Sequence, residues 1–248
     1  MKTTAIKRKN ILSVNADAKT IKGNKKGFLT GILYLAPHEL SGRNVCAMAE
    51  KAGCIAACLN TAGRGGFNSV QKARINKTNR FFDDNAAFMN DLIHSIKALE
   101  RKAARENLTP LVRLNGTSDI IWENVPAAGY KNIMAAFPNI QFYDYTKIPT
   151  RHNLPENYDL TFSYSGVKSF QLANAKAALN SALSRIAVVF DKRDNIPANF
   201  NGRQCIDGDD SDIRHLDARG VVVALYAKGK ARRDNGGFVV NTSLLQGV

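Results

Sequence analysis

No apolar run in the 248-residue chain approaches the roughly 20 residues that a helix needs to cross a bilayer. The basic stretch Met1 to Lys9 lacks the apolar core of a signal peptide, so export is not expected and a cytoplasmic protein is. Cysteine is scarce: four residues do not make a disulfide framework in a chain this long. No G-x4-G-K-[ST] phosphate loop is present, which argues against an ATPase. The four histidines (His38, His94, His152 and His215) form no H-x-H pair, so a nuclease holding its metal on paired histidines is not expected either. Acidic residues are also short, 21 against 35 Lys and Arg, leaving a net charge of +14.

A field of that size favours polyanions, and nucleic acid is the partner expected of so basic a protein. The excess sits in three places: an N-terminal arm (Lys2, Lys7, Arg8, Lys9, Lys19, Lys22, Lys25, Lys26), the stretch Arg64 to Arg80, and Lys228 to Arg233. The plainer alternative is solvated lysine that serves solubility. Charge alone does not separate DNA, RNA and an acidic protein.

Residues 1–26 read as a basic arm or an added edge segment, and residues 27–248 as one α/β domain with the cysteines near its start. Gly27 to Ala36 is a first core strand closed by Pro37, followed by a cysteine-bearing loop and short helix. Ser69 to Asn79 is helix-compatible. Asp83 to Glu106 carries Phe88, Leu92, Ile96 and Leu99 on one helical face. Short apolar runs follow at Leu111 to Leu114, Ile140 to Tyr145, Leu160 to Ser163 and Ile186 to Phe190, with helices expected over Trp122 to Phe137 and Ser169 to Ser184. This alternation predicts a partial (β/α) barrel-like parallel sheet with outer helices. Gly220 to Ala227 and Gly237 to Asn241 read as a small C-terminal β-hairpin or sheet. Sites in such folds lie at the carboxyl ends of the strands.

Cys46-x7-Cys54-x3-Cys58 is the sharpest local pattern. Three thiolates from one segment suit a soft metal or three irons of a [4Fe–4S] cluster, and zinc is the alternative, with Cys205 as a fourth ligand if the fold brings it near. The competing reading is buried, inert cysteines one helical turn apart. Gly63, Arg64, Gly65 and Gly66 form either a ligand-approaching loop or a plain turn. Asn115, Ser118 and Asp119 end a strand as polar site candidates or as an Asx-turn. Tyr145, Lys147 and Ser163 end the next two strands. Asp207, Asp209, Asp210 and Asp212 form an acidic turn that suits a hard cation or, more plainly, the surface.

The cysteine segment running into Leu59 to Gly65, together with the runs Arg113 to Ile120, Phe142 to Lys147, Leu154 to Tyr158 and Leu160 to Ser163, resembles the gene product 88 family of phage and plasmid proteins. That start followed by βα units is in turn similar to radical S-adenosylmethionine enzymes, although those typically space their cysteines C-x3-C-x2-C. The resemblance implies a [4Fe–4S] cluster on Cys46, Cys54 and Cys58 and S-adenosylmethionine held by Gly63 to Gly66, Asn115, Ser118 and Ser163. Asp119, Tyr145 and Lys147 would be catalytic. The expected function is a phage or mobile-element iron–sulfur protein of a bacterial host's cytoplasm, acting on nucleic acid or a nucleotide. The alternative is a non-enzymatic nucleic-acid-binding protein of phage replication or counter-defence, with structural cysteines.

Overall fold

The structure is a computed structural model that describes residues 8–16 and 18–245; Lys2 and Lys7 of the basic arm lie outside them. Nine strands form one open sheet: β1 (Ser13–Val14), β2 (Phe28–Ile32), β3 (Thr109–Arg113), β4 (Gln141–Thr146), β5 (Tyr158–Ser163), β6 (Leu183–Phe190), β7 (Asn199–Phe200), β8 (Arg203–Asp207) and β9 (Val222–Tyr226). Their order is β1-β2-β3-β4-β5-β6-β9-β8-β7. From β2 to β8 neighbours in this order are parallel; only the two-residue edge strands β1 and β7 pair antiparallel. The mostly parallel, partial-barrel-like sheet expected from the sequence is therefore present.

Among the described residues four α-helices accompany it: α1 (Ala18–Asn24), α2 (Asn68–Asp83), α3 (Asn85–Arg105) and α4 (Gln171–Leu179). Asp84 starts α3 by accepting a hydrogen bond from the Ala87 N–H, as an N-cap does. Its apolar stripe (Phe88, Leu92, Ile96, Leu99) then packs with Leu29, Val112, Phe142, Leu160 and Val188 in the main core. The approach is close at Gly31, where a Cβ would sit 2.9 Å from a Leu99 methyl carbon. Because side chains alternate along a strand, Leu111 and Tyr143 face the other way, into a smaller cluster with Ile213 and Phe28. Among the described residues no helix is long and apolar enough to cross a membrane.

Four segments differ from the sequence reading. The short helix expected in the cysteine segment is instead a run of turns followed by 3-10 turns at Leu59–Thr61 and Gly63–Gly66, so Cys54 and Cys58 are not one α-helical turn apart. Trp122 to Phe137 is not an α-helix: a 3-10 turn at Trp122–Asn124 gives way to turns, since Pro126 brings no N–H and both Ala128 and Gly129 take positive φ. The alanine-rich helix stops at Leu179, after which the Asn180 side chain accepts from the Ala182 N–H and β6 begins. The C-terminal hairpin is formed by β7 and β8; residues 222–226 instead enter the main sheet as β9, and Val240 only bridges Phe190.

The crossovers β3 to β4 and β4 to β5 contain no α-helix, and side chains take over the backbone's hydrogen bonds there. Asn157 donates to the carbonyls of Met134, Phe137 and Ile140, and Asn180 to those of Pro149 and Arg151. Asp144, with no exposed surface, accepts from the N–H groups of Leu114 and Asn115 and from the Tyr158 hydroxyl. Asp144→Ala would leave two buried N–H groups unpaired, and is expected to cost about 3 kcal/mol of unfolding free energy in urea titration. A cost below about 1 kcal/mol would show that the carboxylate is not needed to close these strands.

Candidate functional site

The cysteine segment is stretched across the carboxyl ends of the parallel strands and is tied down at several points. Near Cys46, Val45 accepts from the Asp119 N–H at 2.8 Å, and Leu35 accepts from the Thr117 hydroxyl, both donors lying just past β3. The loop after β5 holds its middle, through Ser165 Oγ to the Ala52 carbonyl at 2.7 Å and Ser169 Oγ to that of Lys51 at 3.0 Å. Its far end meets the turn after β9, where a Cβ on Gly229 would lie 3.4 Å from that of Ala62. From below, Gln71 and the buried Arg74 of α2 bind Asn60 and Gly65. The glycines follow from this tight path: a Cβ at Gly65 would come within 2.3 Å of the Asn60 carbonyl oxygen.

Under this segment stands Lys147, just past β4. Its ammonium donates to Ser163 Oγ at 3.0 Å and to the Ser163 carbonyl at 3.1 Å, and lies 4.6 Å from the centre of the Phe238 ring. Its own N–H donates to Asp119 Oδ2 at 2.7 Å. Burial lowers the Lys147 pKa, while Cys54, Asp119, Cys46 and Cys58, all electrostatic neighbours, pull it back up. Burial likewise raises the Asp119 carboxyl against the Lys147 N–H and Arg151. The three thiols also act on one another. Burial pushes Cys46 up to about 12 and raises Cys54 and Cys58.

Of the residues singled out from the sequence, the structure thus gathers Cys46, Cys54, Cys58, Asp119, Lys147 and Ser163, with Gly63 to Gly66 continuing the same segment. Asn115 and Ser118 lie alongside, but their polar atoms organise their own loop: Asn115 Oδ1 accepts from Ser118 Oγ, the Ile120 N–H and the Trp122 indole. Tyr145 falls elsewhere, under the Arg113 guanidinium at 4.9 Å and beside Asp212 and Arg214. Cys205 lies on β8 opposite Val222, and no other cysteine acts on its thiol.

Three thiols in one segment are a suitable donor set for a cluster or, with a fourth ligand, for zinc. As they stand they do not fit one. Among the described residues no three His, Cys, Asp or Glu side chains form a group able to hold a metal ion. Cys46 Sγ instead lies 3.8 Å from the Thr117 carbonyl oxygen and Cys54 Sγ 3.7 Å from that of Ala49. The acidic turn is equally committed: Asp209 binds Lys19 and Lys228, Asp210 binds Lys26, Asp212 binds Arg113, and Asp207 lies 3.5 Å from Arg193.

Charge placement was not legible in the sequence. The turn Gly229–Arg233 packs beside Leu59–Thr61, which brings the basic stretch beginning at Lys228 next to the residues that lead into Arg64, and Lys230 acts on Cys58. Arg64, Lys72, Lys230, Arg232 and Arg233 are exposed and pair with no carboxylate among the described residues. Lys19 and Lys26 of the N-terminal arm are neutralised by the acidic turn.

A family model described as gene product 88 matches residues 6–242. No curated protein and no solved structure matches the chain, and none of these comparisons reaches the radical S-adenosylmethionine enzymes.

A raised thiol pKa keeps sulfur neutral at physiological pH, and the thiolate is the nucleophile. Iodoacetamide is therefore expected to alkylate Cys46, Cys54 and Cys58 of the folded, metal-free protein at least about tenfold more slowly at pH 7.5 than in urea, with the rate still climbing above pH 9. Equal rates in the folded and unfolded protein would show that burial does not control these thiols.

Proposed function

The chain belongs to the gene product 88 family, and from that premise we propose that it is a nucleic-acid-binding protein of this phage-type family, which engages the phosphate backbone over the carboxyl ends of its parallel strands. One observation carries the reading: the basic turn Gly229–Arg233 packs beside the end of the cysteine segment, and although Lys228 and Arg80 are paired, Arg64, Lys72, Lys230, Arg232 and Arg233 pair with no carboxylate among the described residues. Phosphates would lie against Arg64, Lys72, Lys230, Arg232 and Arg233, with the Lys147 ammonium adding positive potential beneath. Backbone charge, rather than base identity, would then set the affinity. The thiols would have a packing role in this reading, Cys46 against the Thr117 carbonyl and Cys54 against that of Ala49.

A second reading, the iron–sulfur, radical-S-adenosylmethionine-like enzyme acting on nucleic acid or a nucleotide, is favoured by a different observation. The strands β2 to β6 and β9 lie side by side in chain order, and the three cysteines follow the first of them and cross the carboxyl edge, where α/β proteins place their sites. In this reading the thiols would have to leave their carbonyl partners and draw together.

Fluorescence anisotropy with labelled oligonucleotides across a salt series tests the first reading. Replacing Lys230, Arg232 and Arg233 together by Ala is expected to weaken binding and to flatten the slope of log K against log salt by about 2. An unchanged slope, or no binding by the natural chain at low salt, would sink the reading. Anaerobic reconstitution tests the second. About four irons and four sulfides per chain, lost in the Cys46/Cys54/Cys58→Ala variant, support a cluster enzyme, whereas a chain that takes up no metal rules it out.

A further inference from the structure

The segment that carries the thiols also exposes its largest apolar side chains. Phe67 is 61% exposed, Leu59 58% and Ile55 44%, in a protein that fully buries Phe88, Phe142, Phe162, Phe170 and Phe190. A phenyl ring left in water has lost the burial that normally recommends it, and exposed apolar side chains grouped together mark contact sites. Phe67 is also held firmly. Its N–H donates to the Arg64 carbonyl at 3.2 Å and its carbonyl accepts from the Gln71 N–H at 3.0 Å, so its backbone is fixed between the glycine turn and the first turn of α2. Cations flank it, with Arg64 three residues before and Lys72 five after, and neither pairs with a carboxylate among the described residues.

We infer that Phe67 is a stacking platform for an unpaired nucleobase and that the nucleic acid engaged at this site is single-stranded. The inference rests on the nucleic-acid reading above and narrows it. A duplex hides its base faces inside the stack, so an exposed ring gains little from it. A single strand presents those faces, and an aromatic ring flanked by backbone-binding cations is the combination that holds them. Charge complementarity selects this occupant over an apolar protein surface, which would leave Arg64 and Lys72 unpaired against it.

The tryptophan count makes the test direct. Trp122 is the single tryptophan of the chain and has no exposed surface, so a Phe67→Trp variant adds one solvent-facing reporter. With an oligothymidylate as probe, Phe67→Ala is expected to weaken binding by about tenfold. The salt slope should stay unchanged, because stacking releases no counterions. Phe67→Trp should keep the affinity, and its emission should be quenched on binding. Leu179→Ala, at an equally apolar and 89% exposed position on α4, should change nothing. The natural chain should prefer the single strand to the matching duplex. If it binds but Phe67→Ala stays within twofold and Phe67→Trp is not quenched, the stacking role is overturned and backbone binding stands. Tighter binding to the duplex overturns the single-strand preference. If the natural chain binds neither probe at low salt, both this inference and the reading beneath it fall.

Discussion

The carboxyl edge of the sheet depends on one buried carboxylate. Asp144 sits in the middle of β4 with no exposed surface, and its two oxygens take N–H groups from the chain leaving β3 and the hydroxyl of Tyr158 at the start of β5. Burial pushes its carboxyl up to about 7, against the pull of Arg113 and of those donors. A charged group at this place is costly unless every lone pair is used, and here the donors come from the two strands that flank β4. Once Asn115 is fixed by Asp144, its side chain can gather Ser118, Ile120 and Trp122. That turn presents Asp119 to the Lys147 N–H, and Lys147 in turn reaches Ser163. The floor of the site is thus an unbroken polar succession across β3, β4 and β5.

This arrangement compensates for the missing helices. A parallel crossover normally satisfies its backbone inside an α-helix. Between β3 and β5 the chain instead depends on the amides of Asn132, Asn157 and Asn180, which cap carbonyls and N–H groups one by one, and on the buried Arg151–Glu123 ion pair that ties the two crossovers together. Such a layer has little tolerance for substitution, because each amide serves two or three backbone groups at once.

The same distinction between local and distant information explains what the sequence could disclose. The strands and α3 were legible because their apolar residues repeat with the period of the element that buries them. The cysteine spacing was legible as a pattern, and its position after the first core strand placed it at the carboxyl edge. Trp122 to Phe137 misled because Phe137, Ile133 and Met134 are buried without being helical; Pro126 and the positive φ of Ala128 and Gly129 were the local signals against a helix. The place of β9 between β6 and β8 was not legible, since nothing in Val222–Tyr226 encodes which strand it will pair with. The packing of Gly229–Arg233 against Leu59–Thr61 follows β9 in the chain, and was hidden for the same reason.

The electrostatics of the site bear on whether the two functional readings exclude each other. The net charge is unevenly available: the acidic turn neutralises Lys19, Lys26, Arg113 and Lys228, and leaves Arg64, Lys230, Arg232 and Arg233 without a carboxylate partner among the described residues. In such a field a thiolate should be favoured, as should any anion. Yet burial outweighs it at Cys46, Cys54 and Cys58, and the sulfurs stay neutral. Ionising three thiols at once would bring three negative charges to the side of Lys147 and under Lys230, offsetting part of the positive potential of the surrounding cations. A metal centre would restore part of that positive charge. Neutral thiols leave the positive potential intact with no metal at all, so in the nucleic-acid reading the protonation of the cysteines would act on backbone binding together with the lysines and arginines.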